Sequence, residues 1–244
     1  MKAQSHLGKT CVLCGEHPST RKGDHQPPEC LYPPPRPLNV KLNSVPACTG
    51  CNGAGSYHDE EFKLMLGLLV GEHRDDSLRV VESIQRTLIK NKRLIKHLAL
   101  KSTPGYANRG RGVLEPVRRV DFDGKAYHNV ISRIVRGLHW QETGAILSPQ
   151  MAILVRPFSQ LNGVHAQLVQ ELMNMVPAKQ LNLGTFAYKH AYSTDASSLW
   201  VLQFFGAHQA FAMVSNGAQP SLPTDIPASA AEARTSATTL LRSS

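Results

Sequence analysis

Two cysteine pairs of identical spacing, Cys11-Val-Leu-Cys14 and Cys48-Thr-Gly-Cys51, carry the clearest chemistry in this sequence. Each Cys-x-x-Cys turn offers two thiolates from one tight loop, and two such knuckles supply a tetrahedral set for one Zn²⁺. Gly15 and Gly50 stand where knuckle turns need backbone freedom. Disulfides and a chance grouping of four thiols are the competing readings. The fifth cysteine, Cys30, makes the count odd, and residues 1–10 hold no apolar run, so no secretory signal is expected. Both points favour thiols and metal in a cytosolic setting. Cys30 itself is read as a tolerated thiol outside the set. Residues 1–60 are rich in Pro and Gly, and such a segment needs a metal staple to fold.

Between the knuckles stand Asp24-His25 followed by Pro27-Pro28, then Asn43 five residues before Cys48, and Asn52 directly after Cys51. This arrangement resembles the HNH endonuclease superfamily, in the branch with a four-cysteine zinc site around a ββα-metal core. The resemblance covers about residues 11–61. It implies that His25 takes the first histidine position, Asn43 the central asparagine and Asn52 the last, where many members have histidine. The chemistry agrees with those roles. Phosphodiester hydrolysis needs an activated water, and an imidazole can accept its proton near neutral pH. Asp24 and Asn52 offer hard oxygen ligands suited to Mg²⁺ or Mn²⁺. Asn43 can fix the histidine loop through its amide. Extended strands would turn Asp24 and His25 to opposite faces, so an irregular backbone is expected there. The plainer alternative is a surface turn in a purely structural zinc module. His58 is expected to face solvent, and Ser56 shares the helical face of Asn52.

Those residues need elements to hold them. The fold class expected is α+β: an N-terminal zinc-stapled ββα-metal (treble-clef-like) domain at 1–75, a basic helix and linker at 76–112, an α+β domain at 113–216, and a disordered tail at 217–244. A short helix is expected over 57–70. A longer one should run from Asp76 or Ser77 to about Lys101, closed by Pro104, with Val81, Ile84, Leu88, Ile95 and Leu98 as its apolar stripe. Residues 105–112 read as a flexible basic linker. Tyr127, Val130, Ile131, Ile134, Val135 and Leu138 recur at i, i+3, i+4 and i+7, which predicts a helix ending at Trp140. Strands are expected at 113–121 and 152–155, a helix at 164–175, and a three-stranded meander over 185–192, 199–205 and 210–214. His139-Trp140 is read as core or cap.

The net charge is +9 over 244 residues, and residues 61–112 hold eleven Lys/Arg against five Asp/Glu. Excess positive charge favours a polyanion. Arg79, Arg86, Lys90 and Arg93 fall opposite the apolar stripe, where they can follow a phosphate backbone or simply be solvated. Arg118, Arg119, Arg133 and Arg136 could extend such a surface or be ordinary exposed positions. No run of 18 apolar residues exists, which excludes a transmembrane helix. The leading expectation is therefore a metal-dependent endonuclease acting on nucleic acid, DNA first, with structural Zn²⁺ and catalytic Mg²⁺ or Mn²⁺. RNA and branched DNA are alternative substrates for the same site. The rival is a catalytically inactive zinc-finger nucleic-acid-binding or adaptor protein.

Overall fold

The structure, a computed structural model, describes residues 6–34, 36, 40, 42–70, 75–90, 92–108, 114–194 and 197–217. It is a mixed helix and sheet architecture. The N-terminal segment contributes two very short strands, β1 (Asp24–His25) and β2 (Ser44–Val45), paired antiparallel with Asp24 opposite Val45. Helix α1 (Thr49–Val70) follows directly. It starts eight residues earlier than the expected 57, because the Asn52 N–H already bonds the Cys48 carbonyl at 3.0 Å. Gly50, Gly53 and Gly55 hide this first part from a propensity reading, since glycine is a poor helix former.

The expected long basic helix is described as two helical stretches, α2 (Asp75–Lys90) and α3 (Lys92–Leu100), with residue 91 between them outside the described residues. The buried stripe of α2 is centred on Val80 and Ile84 rather than Val81. Ile84 lies against α1 where Gly67 has no side chain; a Cβ there would stand 1.9 Å from Ile84 Cδ1. The linker expected over 105–112 is corrected at 105–108, which belong to β3 (Ser102–Asn108), paired antiparallel with β4 (Leu114–Val120); 109–112 lie outside the described residues. Pro104 therefore lies inside a strand, and a two-stranded ladder has only edges, where proline is tolerated.

Helix α4 (Gly124–Thr143) begins where the Asp123 side chain accepts from the Lys125 N–H. It ends at Gly144, whose φ of 72° is the left-handed turn that favours glycine. The strand β5 (Ala152–Pro157), helix α5 (Gly163–Met175) and strands β6 (Lys179–Leu181), β7 (Phe186–Tyr192), β8 (Ser198–Phe204) and β9 (His208–Ser215) complete the fold. Strands β7 to β9 are the expected meander, and all five form one antiparallel sheet in the order β5-β9-β8-β7-β6.

Strand alternation divides the sheet's side chains between two faces. Ile153, Val155, Trp200, Leu202, Phe204, Ala212 and Val214 join Tyr127, Ile131, Ile134 and Leu138 of α4 and Phe62 and Met65 of α1. Leu154, Val201 and Phe211 face the other way, onto Val169 and Leu172 of α5. The first cluster also takes in Val80 and Ile84, so one apolar core crosses the boundaries expected at 75/76 and 112/113. The expected tail beyond 217 lies outside the described residues. Among the described residues no helix is long and apolar enough to cross a membrane.

Candidate functional site

Cys11 and Cys14 on the first knuckle meet Cys48 and Cys51 at the start of α1. Their four sulfurs lie within 4.8 Å of one another. That spacing and donor set suit one zinc ion. The Cys51 N–H points at Cys48 Sγ (3.4 Å), so the second knuckle turns around its own sulfur. Burial, with the neighbouring sulfurs, pushes the Cys51 thiol well up. Burial works against Cys14 as well, yet the His17 and Glu16 backbone hydrogen bonds bring it down to about 7. A metal would replace the thiol protons with coordination bonds. Cys30 stands apart, as expected, with its thiol donating to the Asp59 carbonyl at 3.3 Å.

The β1–β2 ladder lies beside this cluster and positions the Asp-His pair. The backbone at Asp24 and His25 is extended, not irregular, so the two side chains diverge. Asp24 is buried and His25 is partly exposed. His25 Nδ1 faces Glu29 Oε2 at 3.5 Å, and Arg36 Nη2 holds the other Glu29 oxygen at 2.5 Å. Sequence reasoning missed Glu29, because i, i+4 spacing signals contact only on a helix and His25 lies on a strand. Asn43 takes part through its backbone, its carbonyl accepting from the Gln26 N–H at 2.9 Å. Asn52, in the first turn of α1, donates from Nδ2 to the Gly23 carbonyl at 3.1 Å, which joins the helix start to β1. Gly23 has φ +67°, and a Cβ there would stand 2.3 Å from the Val45 carbonyl.

Asp24 has partners that its sequence neighbours do not disclose. Its Oδ1 accepts from the His25 N–H at 3.0 Å. Its Oδ2 accepts from Gln26 Nε2 at 3.1 Å and from Arg133 Nη2 at 2.6 Å. Arg133 Nη1 binds Asp59 Oδ1 at 2.8 Å, so one guanidinium of α4 bridges two carboxylates. Two glycines make room for this. A Cβ on Gly55 would lie 2.1 Å from Arg133 Nη1, and one on Gly137 would lie 2.5 Å from Gln26 Cγ. Burial pushes Asp59 up to about 6 despite the pull of Arg133, because one positive charge cannot fully offset two buried carboxylates.

The placement of Arg133 and Arg136 on an exposed basic surface is thus corrected. The Arg133 side chain is 13% exposed and ion-paired, and Arg136 donates to the carbonyls of Leu147 and Ser148. Both face inward because α4 is the central helix of the core. A divalent ion on Asp24 and Asn52 does not fit this arrangement. Both Asp24 oxygens already accept from protein donors, and a guanidinium supplies the positive charge.

The remaining expected residues are scattered. His58 is half-buried, with Nδ1 3.5 Å from Asn129 Nδ2, rather than fully in solvent. Ser56 is exposed and bonds only the Gly53 carbonyl among the described residues. His139 and Trp140 are half-buried at the end of α4, and the Trp140 carbonyl accepts the capping Gly144 N–H. Arg79, Arg86 and Lys90 lie on the exposed side of α2. The side chains of Arg93, Arg118 and Arg119 lie outside what is described. His6, unmarked by any motif, is buried beneath β2, with Nε2 2.8 Å from Ser44 Oγ. Compared with known proteins, the chain matches no family model, no curated sequence and no solved structure.

Proposed function

We propose that this chain is a zinc-stapled endonuclease of HNH type that hydrolyses phosphodiester bonds of nucleic acid, DNA first. The observation that supports it most is the joint between Asn52 and Gly23, which brings the start of α1 against the Asp24-His25 strand beside the four cysteines. A β1–β2 ladder running into a helix, with those residue types at those places, is what the HNH resemblance implies.

In this reading His25 is the general base. The Glu29 carboxylate at Nδ1 favours the tautomer carrying its proton there, and Nε2 is then free to accept one from water. Arg36 keeps Glu29 in place. The zinc is structural: all four positions of a tetrahedral site would be filled by Cys11, Cys14, Cys48 and Cys51, leaving none for substrate. The exposed cations of α2 and α3, among them Arg86, Lys90, Lys92 and Lys96, offer contacts to phosphates.

The ion pair between Arg133 and Asp24 favours a second reading, a nucleic-acid-binding protein that keeps this architecture without hydrolysis. One experiment separates the two. Plasmid, single-stranded DNA, branched DNA and RNA are incubated with zinc-loaded protein and Mg²⁺, Mn²⁺ or EDTA, with His25→Ala alongside. Cleavage lost in His25→Ala supports the endonuclease. Binding without cleavage under every condition supports the second reading.

A further inference from the structure

The Asp24 carboxylate is buried and already paired with a cation, although the HNH reading needs it as a metal ligand. Three features share in that arrangement. Arg133 reaches Asp24 Oδ2 from α4 at 2.6 Å. Asp59 of α1 holds the other arm of the guanidinium at 2.8 Å. Gly55 leaves the space across α1 through which the guanidinium passes. Gln26 adds a third donor to Asp24, and its own Oε1 is buried with no hydrogen-bond partner among the described residues. The Arg133 Nε is likewise buried and without a partner among the described residues. A guanidinium clamped between two carboxylates while its own Nε is unsatisfied is held by charge more than by a complete set of hydrogen bonds.

We infer that Arg133 is a latch on Asp24: its guanidinium occupies the carboxylate in place of a divalent cation, and the residues present do not fit such an ion while the guanidinium is there. This inference rests on the HNH reading of Asp24. The two occupants exclude each other for electrostatic and geometric reasons. Both need the same carboxylate, and a divalent ion in contact with a guanidinium would meet strong repulsion in a site of low exposure. Asp59 anchors the latched form, because it keeps a carboxylate under Nη1 whether or not Asp24 is free. The latch also accounts for glycine at position 55, since any side chain there would strike the guanidinium.

Mn²⁺ binding to the zinc-loaded full chain tests this directly, read from the free Mn²⁺ signal by electron paramagnetic resonance. Arg133→Gln should bind Mn²⁺ at least about tenfold more tightly than the unaltered protein, since a contacting cation no longer has to be displaced. Adding Asp24→Asn to that variant should abolish the gain. Gly55→Ala reaches the same end from the other side. It improves helix propensity in α1 while its methyl group displaces the guanidinium, so it should also tighten Mn²⁺ binding. It further guards against a fold lost in Arg133→Gln. Equal Mn²⁺ affinity in the unaltered protein and in whichever of these variants keeps its zinc and its melting transition would overturn the latch. Cleavage is followed in the same samples. Tight Mn²⁺ binding without cleavage keeps the latch and removes the endonuclease. Cleavage by the unaltered protein, with Mn²⁺ affinity the same in all variants, does the reverse.

Discussion

Arg133 Nη2 and Asp24 Oδ2 meet at 2.6 Å although 109 residues of chain separate them. Side-chain exposures of 13% and 6% place this pair where water screens little. Removing one partner of a buried ion pair leaves an uncompensated charge and typically costs about 3–5 kcal/mol. Asp24→Ala should therefore destabilise the protein by roughly that amount, while His25→Ala on the partly exposed side of β1 should cost less than about 1 kcal/mol. Urea unfolding of both variants and of Asp24→Asn with Arg133→Met provides the measurement. A loss below about 1 kcal/mol for Asp24→Ala would mean that the pair contributes no more than a surface one.

Freshly purified protein should carry one zinc ion per chain, held by the four sulfurs that lie within 4.8 Å of one another. Cys48→Ser should lose the ion and loosen the β1–β2 segment, because the small apolar cluster around Cys11, Leu13 and Ala47 cannot order it alone. Cys30→Ser should keep the zinc. Elemental analysis decides the matter, and folded protein without zinc would refute the assignment.

His25→Ala should lower cleavage by roughly 10²–10⁴-fold, the usual contribution of a general base, without loss of zinc. Glu29→Gln should give a smaller loss, because it removes the carboxylate that sets the imidazole tautomer and not the base itself. Single-turnover cleavage rates check both. A Glu29→Gln loss equal to that of His25→Ala would point to Glu29 as the base instead.

His208 lies in the core with Nε2 2.9 Å from the Tyr127 hydroxyl, and burial brings its pKa down to about 4 from an ordinary 6.5. Between those values the unfolded chain binds a proton that the folded chain refuses. Stability is therefore fully present above about pH 6.5 and declines as pH falls towards 4. At about 1.4 kcal/mol per pKa unit the loss is on the order of 3 kcal/mol. In His208→Gln this acid slope should flatten. Urea midpoints measured from pH 7.5 to 4.5 would show it, and parallel profiles for the two proteins would exclude His208 as the source.

The cations of α2 and α3 should carry most of any electrostatic attraction to duplex DNA. Each neutralised phosphate adds about 0.9 to the salt slope of log affinity. Replacing Arg86, Lys90 and Arg93 with Ala should reduce the slope by up to about 2.7 if all three touch phosphate. The inactive His25→Ala protein is titrated with duplex across a salt series. An unchanged slope would mean that these residues are simply solvated.

What the sequence determined by itself was set by short spacings. The two Cys-x-x-Cys knuckles are each local turns, so their ligands could be read before any fold was known. The stripe from Tyr127 to Leu138 and the alternation in 199–205 and 210–214 repeat every few residues, and those periods are the helix and strand themselves. Where the local signal was weak or conflicting, the reading failed. The glycines at 50, 53 and 55 masked the start of α1, and Pro104 suggested a break where there is a strand. Only the tertiary structure decided what Arg133 does. Its i+3 and i+4 neighbours mark it as one more cation on an amphipathic helix, and nothing within a helical turn announces Asp24 or Asp59. The pairing exists because α4 packs against α1 through Phe62, Tyr127 and Ile131, and Gly55 leaves a gap at that contact. Apolar burial chose which helix faces meet, and electrostatics then paired the charges trapped between them.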